Sequence, residues 1–187
     1  MAPKIKITKD DIVAASLELV RRGGEDALNT RAIAAHLGCS TQPIFSNFSS
    51  MEQLRDTVIA AAAGIYSEYA EREAKSGEFP VYKAFGMAYI RFAKEEKQLF
   101  KLLYMRARDN EDTKDENNRE TDASIAIIKE SLGLDEAAAK LFHLEIWAFV
   151  HGIASMTATG FLDLDRELIS GMLTDAYQGL KSRFGKE

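Results

Sequence analysis

The stretch TRAIAAHLGCSTQPIFSNF, residues 30–48, decides how the rest of the chain is interpreted. Apolar residues recur at helical spacing on both sides of Gly38, a residue type that readily takes the positive φ of a sharp turn. The pattern predicts two short helices, from about Thr30 to Leu37 and from about Thr41 to Asn47. Two short helices joined by a tight turn are the layout of a helix-turn-helix, whose second helix enters a DNA groove.

The second of these helices carries small polar side chains that suit base recognition. Gln and Asn can make paired hydrogen bonds to adenine, and Thr offers a hydroxyl and a methyl group. We predict that Ser40 caps this helix and that Pro43 lies in its first turn, where proline is tolerated. The predicted DNA-contacting residues are Thr30, Arg31, Ser40, Thr41, Gln42, Ser46 and Asn47. The alternative is a small helical hairpin whose polar groups are simply hydrated.

The remainder of the chain also reads as helix, with no strand-like alternation. A capping-box pattern at Ser49–Glu52 opens a long helix over 51–75. One face of that helix is predicted to carry Leu54, Val58, Ala61, Ile65 and Tyr69. The polar, aperiodic residues 107–121 predict a long loop, and further helices are expected at about 122–132, 136–158 and 165–184. The other predicted helix boundaries are a capping box at Thr8–Asp11, a glycine stop at Gly23-Gly24, a bend near residues 96–98, and glycine stops at Gly133 and Gly160.

The sequence thus predicts an all-α fold of about nine helices. An N-terminal three-helix domain over residues 1–50 carries the helix-turn-helix. The long helix 51–75 joins it to a C-terminal helical bundle, and residues 51–187 form a ligand-binding and dimerisation domain. The chain has 187 residues, 46% of them hydrophobic, and three prolines, so it is long enough to bury a core and has the composition of an ordered protein.

Charge and composition narrow the function classes. The net charge is −5, and residues 1–57 balance seven basic against seven acidic residues, so DNA binding must rest on a local arrangement of donors. A single cysteine excludes an internal disulfide, and no apolar run is long enough for a membrane span or a secretory signal, which predicts a cytoplasmic protein. The histidines lack metal-ligand spacing, and no phosphate loop or nucleophile elbow occurs. We therefore expect no metal, no cofactor and no enzyme.

The stretch ITKDDIVAASLELVRRGGEDALNTRAIAAHLGCSTQPIFSNFSSMEQL resembles the DNA-binding domain of TetR/AcrR-type transcriptional regulators. The matching features are the first helix, the glycine bend, the T-x-x-I-A-x-x-L-G helix, and a recognition helix followed by Phe48 and Glu52-x-Leu54. The family usually has tyrosine where Phe45 stands and lysine where Met51 stands, and both positions commonly contact phosphate. These two departures predict weak phosphate anchoring and a shallow dependence of DNA binding on salt.

The C-terminal half carries one local resemblance, because WAFVHG at residues 147–152 is similar to the W-x-x-x-H-G signature of one subgroup. Trp147 and His151 share a helix face, as a core tryptophan beside a hydrogen-bonded histidine or as a pocket wall with a polar handle. The predicted effector pocket consists of Tyr66, Tyr89, Phe92, Tyr104, Trp147 and His151. The resemblance implies a dimer surface on the last two helices, for which the stripe Leu173, Tyr177, Leu180 and Phe184 is predicted; packing within the monomer is the alternative.

These features together predict a ligand-responsive, homodimeric transcriptional regulator. The expected partner is a palindromic operator in double-stranded DNA, and a small hydrophobic or aromatic effector is expected to release a repressor from it. The alternative is a helical ligand-binding or interaction protein whose DNA binding has weakened.

Overall fold

The computed structural model describes the backbone of residues 7–105 and 116–185, and side chains there except those of 116–120. This part of the chain forms nine α-helices, one short 3-10 turn at Glu25–Ala27 and no strand, which confirms the predicted all-α fold. The α-helices are α1 Lys9–Gly23, α2 Thr30–His36, α3 Gln42–Asn47, α4 Met51–Ser76, α5 Val81–Glu95, α6 Lys97–Tyr104, α7 Glu116–Leu132, α8 Glu136–Ala158 and α9 Arg166–Phe184. No helix in the described part is long and apolar enough to cross a membrane.

The ends of α1 follow from local sequence chemistry. Asp11 N–H donates to Thr8 Oγ1 at 3.1 Å, and Thr8 N–H donates to Asp11 Oδ2 at 2.8 Å, which completes a capping box. The bonds from Thr8 hold the pKa of Asp11 below its ordinary value. The helix ends at the Gly23-Gly24 pair as predicted, and Gly24 takes a φ of 72°, which favours glycine.

Helix α4 begins at Met51 as predicted, but its capping pair and the start of α7 were displaced. At α4 the bond runs from Gln53 N–H to Ser50 Oγ at 3.1 Å, so the capping pair is Ser50 with Gln53, one residue later than predicted. Helix α7 begins at Glu116, so residues 116–121 of the predicted loop are helical. No apolar residue occurs in that segment, and its helical period is therefore invisible in the sequence. The remainder of the predicted loop up to residue 115 lies outside the described residues.

The buried face of α4 was also predicted partly wrong. Leu54 and Val58 are fully buried as expected, but the next buried positions are Ala62 and Tyr66. The predicted Ala61, Ile65 and Tyr69 are half-buried. Residues 60–63 are all alanine, so the apolar pattern cannot decide which side of this turn faces the core.

The chain divides into two compact units, of which the first comprises Met1–Ser67 and Glu96–Met105. In its described part α1 packs against α2, α3 and α6. Helix α6 follows α5 after one non-helical residue, Glu96, which is where the sequence predicted a bend. The largest side chains of this core are fully buried: Ile12, Ile33, Ile44, Phe48, Leu54, Leu99, Phe100 and Leu102. The functional boundary proposed near residue 50 stays a prediction.

The second unit comprises Glu68–Glu95 and Arg106–Glu187. Helix α8 packs against α5, α7 and α9, and α5 also contacts α9. A Cβ atom at Gly86 on α5 would lie 3.3 Å from a methyl of Leu173 and 3.5 Å from one of Val150, so glycine permits the close approach of three helices. Within the described residues Glu73 is the single buried charged side chain, at 4% exposure.

Candidate nucleic-acid interface and effector region

Helices α2 and α3 are held together by a small apolar core. Ile33, Ile44 and Phe48 are at most 2% exposed, whereas Leu37 is half-buried. Gly38 takes φ of 63° in the intervening turn, as the sequence predicted. A Cβ atom there would meet nothing within 4 Å, so the backbone conformation, and not lack of space, requires glycine. The helix-turn-helix geometry is therefore confirmed.

The start of α3 differs from the prediction by one residue. Thr41 already has helical backbone angles, φ −72° and ψ −14°, and it stands at the cap position without a capping hydrogen bond from its side chain. Ser40, which was predicted as the cap, lies one residue outside the helix and is exposed. Pro43 lies in the first turn as predicted. The shift leaves the Ser40 hydroxyl outside the capping role.

One face of α3 is open to solvent and carries Gln42 and Ser46, while Thr41 is half-buried beside it. The Ser46 hydroxyl donates to the Gln42 carbonyl at 3.0 Å. The Asn47 side-chain amide donates to the Pro43 carbonyl at 2.8 Å. Gln42, by contrast, makes no side-chain hydrogen bond to another described residue, so its whole amide can meet a base edge.

The start of α2 lies at a second exposed edge of the same motif. Asn29 caps this helix by accepting a hydrogen bond from Ala32 N–H at 2.9 Å. Thr30 is the first helical residue and is half-buried, and Arg31 is exposed. Both side chains, which were predicted to contact DNA, thus lie in the first turn of α2.

Most cations of the helix-turn-helix segment are already neutralised within the first unit. Arg21 pairs with Glu96 at 2.9 Å, Arg22 lies 3.4 Å from Glu18, and Arg55 pairs with Glu25. Within described residues 7–57, Lys9 and Arg31 have no carboxylate partner, and the Lys9 ammonium lies 5.1 Å from the Phe48 ring centre. Within residues 7–57, two cations therefore remain without a carboxylate partner to contact a DNA backbone.

The predicted effector residues fall into groups in different units. Tyr66 and Tyr104 belong to the first unit, with ring centres 6.0 Å apart. Phe92 is buried in the second unit against Tyr69, at 5.5 Å. The remaining three predicted residues, which also lie in the second unit, come together around α8: Tyr89, Trp147 and His151.

His151 is the polar centre of that group. Its Nδ1 is 3.0 Å from the Tyr89 hydroxyl, and its Nε2 is 3.2 Å from the Ser155 hydroxyl. The Trp147 ring stacks on the imidazole, with centres 5.0 Å apart and planes 13° apart. His151 is thus hydrogen-bonded, as one of the two alternatives had it, but Trp147 is 43% exposed and is not the core tryptophan of that alternative. A spacing of four residues places two side chains on the same face of a helix, but it does not determine how deeply each is buried.

A second tyrosine–histidine pair was missed in the sequence. The Tyr82 hydroxyl lies 3.1 Å from His143 Nδ1. This pair lies about two helical turns before the Tyr89–His151 pair, along both α5 and α8. Burial lowers the pKa of His143, and burial together with nearby Tyr177 raises the pKa of Tyr82. The recurrence of tyrosine seven residues apart and histidine eight apart was the available signal.

The apolar stripe of α9 packs largely within its own chain. Leu173 is 6% exposed, and the rings of Tyr177 and Phe184 lie 5.4 Å and 5.6 Å from Phe142 on α8. Leu180 is half-buried. A dimer surface on the last two helices stays a prediction, but other residues are better placed for it. The large apolar side chains exposed on α8 and α9 are Leu141, Leu144, Trp147, Phe149 and Leu168.

A surface groove of about 360 Å³ lies in the second unit, and none of the predicted pocket residues lines it. Its lining consists of Met87, Ile90, Arg91, Lys94, Glu95, Leu164, Arg166 and Ile169. Each cation in it already has a carboxylate partner: Arg91 bonds Glu95 at 2.8 Å, Lys94 bonds Asp163 at 2.6 Å, and Arg166 pairs with Glu73 and Glu78. The groove offers no uncompensated charge to a ligand.

In the described part no cluster of His, Cys, Asp or Glu is arranged to hold a metal ion.

Two family descriptions together match most of the chain. Residues 12–58 match the family of bacterial regulatory proteins called tetR, and residues 82–176 match the tetracyclin repressor-like C-terminal domain. The chain belongs to the TetR family. The resemblance found in the helix-turn-helix segment is thereby confirmed, and the C-terminal match extends it to most of the second unit.

Individual TetR-type relatives are distant in sequence. An uncharacterized HTH-type transcriptional regulator of Mycobacterium tuberculosis is 25% identical over 167 residues, which cover 87% of this chain and 76% of that protein. A protein of unknown function from Rhodococcus sp. RHA1 has a TM-score of 0.78 at 21% identity, covering 97% of this chain and 100% of that one. A TetR variant from Acinetobacter baumannii AYE, in complex with minocycline, has a TM-score of 0.56 at 19% identity, covering 96% and 95%. At these identities the solved structures establish the fold.

Proposed function

We propose that this TetR-family chain is a cytoplasmic, homodimeric repressor that binds a palindromic DNA operator and is released by a small hydrophobic or aromatic effector. The observation that carries the DNA-binding half is the polar face of α3. Its opposite face is sealed by Ile44 and Phe48, while Gln42 and Ser46 are exposed on a helix of the type that enters the major groove. Symmetric dimers suit paired half-sites.

Within this interface Gln42 is proposed as the main base-reading residue. Its side-chain amide is exposed and can bond adenine through both its oxygen and its nitrogen. Asn47 has its amide donor engaged with Pro43, and therefore contributes less. Thr41 and Ser46 would add single hydroxyl contacts, and Ser40 would lie beside them. Thr30 and Arg31 would contact phosphate from the start of α2.

The test selects operator fragments from genomic DNA with the purified full-length chain and then compares variants on the recovered sequence. Gln42→Ala is expected to weaken binding by about 1–3 kcal/mol, the loss typical of a base contact. Asn47→Ala is the matched amide deletion, and it should cost less because its donor already serves the helix. Equal losses for the two variants, or no enriched palindrome, would contradict the proposal. Circular dichroism of both variants checks that the helices remain.

The groups available for phosphate contact predict how strongly DNA binding depends on salt. Phe45 lacks a hydroxyl, Met51 lacks a charge, and Lys9 and Arg31 are the cations without a carboxylate partner in described residues 7–57. We therefore expect a plot of log affinity against log salt with a shallow slope, corresponding to about two to four phosphates neutralised per half-site. A steep slope, similar to that of a protein with ten or more phosphate contacts, would overturn this part of the proposal.

The dimer surface is proposed on the outer side of α8, in its N-terminal half. Leu141, Leu144 and Trp147 follow one another at helical spacing there and are 43–56% exposed. Apolar side chains that remain exposed in a row of this kind favour a protein–protein contact. The stripe Leu173, Tyr177, Leu180 and Phe184 would then support this surface from the inside.

The effector is proposed to bind in the second unit near the Tyr89–His151 pair, which supplies hydrogen-bonding groups in apolar surroundings. The minocycline complex of a TetR relative supports an aromatic ligand class. Trp147 is the single tryptophan of the chain and stacks on His151, so its emission reports on this place. A screen of aromatic compounds should find one that shifts this emission and lowers operator affinity together. Compounds that shift emission without changing operator affinity would contradict an effector role.

A second function is supported by the balanced charge of residues 1–57. The chain would then be a ligand-binding or interaction protein whose DNA binding has weakened. The operator selection separates the two: an intact dimer that binds an aromatic ligand and enriches no DNA favours this second function.

A further inference from the structure

Phe45 is an exposed aromatic residue in the middle of a polar surface. It is 56% exposed, whereas its neighbour Ile44 is 1% exposed and Phe48, one turn later, is 2% exposed. In the described part of the first unit, the large hydrophobic side chains that are exposed are Phe45 and Met105, and Met105 is 43% exposed. The core of this unit is therefore complete without Phe45, and packing does not account for a phenylalanine at this place.

The position of Phe45 on α3 defines what it can contact. Gln42 and Phe45 are three residues apart, so they occupy one face of the helix, and Ser46 completes that face. A separation of three residues corresponds to about 4.5 Å along a helix axis, comparable to the roughly 3.4 Å between neighbouring bases. If Gln42 reads one base pair, the Phe45 ring lies level with the next one.

The phenyl ring has neither donor nor acceptor, and a hydrogen bond to phosphate is excluded. The major groove offers one apolar group that such a ring recognises, the C5-methyl of thymine. We infer that Phe45 packs against a thymine methyl in the base pair adjacent to the one read by Gln42, and that it thereby selects thymine over cytosine at that position. The inference rests on the proposed DNA-binding function and names a specificity-determining contact within it.

The test replaces each thymine of the selected operator, one at a time, with deoxyuridine, which removes the methyl and keeps every hydrogen-bonding group. At one position per half-site the wild-type protein should bind about fourfold more weakly, as expected for one lost buried methyl. Phe45→Ala should bind the thymine and deoxyuridine operators equally at that position. A cytosine placed there should weaken wild-type binding, and 5-methylcytosine should restore part of the loss because it returns the methyl.

Controls separate this contact from a general one. Phe45→Ala should fold normally, since the side chain is exposed, and its thermal melt checks this. Phe161→Ala deletes a phenylalanine that is 78% exposed in the second unit, and it should keep the wild-type preference for thymine over deoxyuridine. Gln42→Ala should also keep that preference while losing overall affinity.

The outcomes distinguish this inference from the function on which it rests. If Phe45→Ala weakens thymine and deoxyuridine operators alike, the ring packs on sugar or phosphate and the thymine contact is wrong. If wild-type protein binds every deoxyuridine operator as it binds thymine, the contact is also wrong, although the proposed function stands. If no operator is selected at all, both the proposed function and the contact fail.

Discussion

The two units of the chain treat their apolar and charged residues in opposite ways. The first unit buries its large apolar side chains and leaves a polar face on α3, from which Phe45 stands out. The second unit leaves Leu141, Leu144, Phe161 and other large apolar side chains open, and it buries the carboxylate of Glu73.

The difference matches the partner proposed for each unit. A core that is closed by its own helices can present polar groups to a highly charged polymer without loss of stability. A unit that exposes a row of leucines has apolar surface left to cover, which a second copy of the chain would do.

The two phenylalanines of the helix-turn-helix segment provide the largest contrast. Phe48→Ala should lower the free energy of unfolding by about 3–5 kcal/mol, because it empties a fully buried site. Phe45→Ala should change it by less than about 0.5 kcal/mol, because its side chain is mostly in water. Urea denaturation followed by circular dichroism measures both. A small loss for Phe48→Ala would mean that the first unit does not depend on this core.

The buried charge of the second unit should have the next largest effect. Glu73 is 4% exposed and pairs with Arg166, while Arg91 lies 3.9 Å away. Arg166→Met would leave the carboxylate buried with one distant cation, at a cost of about 3 kcal/mol in unfolding free energy.

The matched control for that variant is Lys75→Met, which breaks an exposed pair with Glu71 on the same helix as Glu73. It should cost less than about 1 kcal/mol, because exposed ion pairs are weak. Comparable losses in the two variants, measured by urea denaturation, would show that burial of Glu73 has no energetic consequence.

The exposed leucines of α8 should control the oligomeric state. Leu144→Asp is expected to raise the dimer dissociation constant by about thirtyfold, the effect of losing one central contact worth about 2 kcal/mol. Sedimentation equilibrium measures the constant, and a red shift of Trp147 emission should accompany dissociation. Val81→Asp introduces the same charge at another exposed apolar site, 46% exposed on α5, and should leave the dimer intact. Dissociation by both variants would argue against a specific α8 surface.

The smallest effect concerns pH and the second unit. Burial lowers the pKa of His143 below its ordinary value of 6.5, so the unfolded chain takes up a proton more readily than the folded one. The stability from the neutral, buried imidazole is complete above about pH 6.5 and is lost as the pH falls through the folded-state pKa.

Unfolding free energy should therefore decrease between pH 7.5 and pH 5.5, and His143→Gln should make that decrease smaller. His36→Gln, which removes a histidine of the first unit, should leave the contribution of His143 in place. An unchanged pH profile in His143→Gln would show that another group causes the decrease.

Much of the helical layout could be predicted from local sequence. The Thr8–Asp11 capping box, the turn at Gly38 and the stops at Gly133 and Gly160 depend on a few neighbouring residues, and all were found where expected. The predictions that failed lacked such a local signal. The four successive alanines of α4 do not indicate which face of the helix is buried. The first turns of α7 contain no apolar residue, so their helical period could not be detected.

The candidate site shows the same division between local pattern and depth. Sequence spacing placed Gln42, Ser46 and Asn47 on the recognition helix, but backbone carbonyls engage the donors of Ser46 and Asn47 and leave the amide of Gln42 open. Spacing likewise placed Trp147 beside His151, and the packing of α5 against α8 decided that the histidine is bonded inward while the tryptophan stays exposed.

Local sequence signals were sufficient to predict that the chain is helical, where its turns lie and which family its helix-turn-helix resembles, because caps, glycines and apolar periods act over a few residues. The tertiary structure decided which of two alanines faces a core, which carboxylate is buried among arginines, and which aromatic rings remain in water. Those properties depend on helices that are distant in sequence and adjacent in space, and the exposure of the Phe45 ring beside the buried Ile44 and Phe48 is therefore known from the tertiary structure alone.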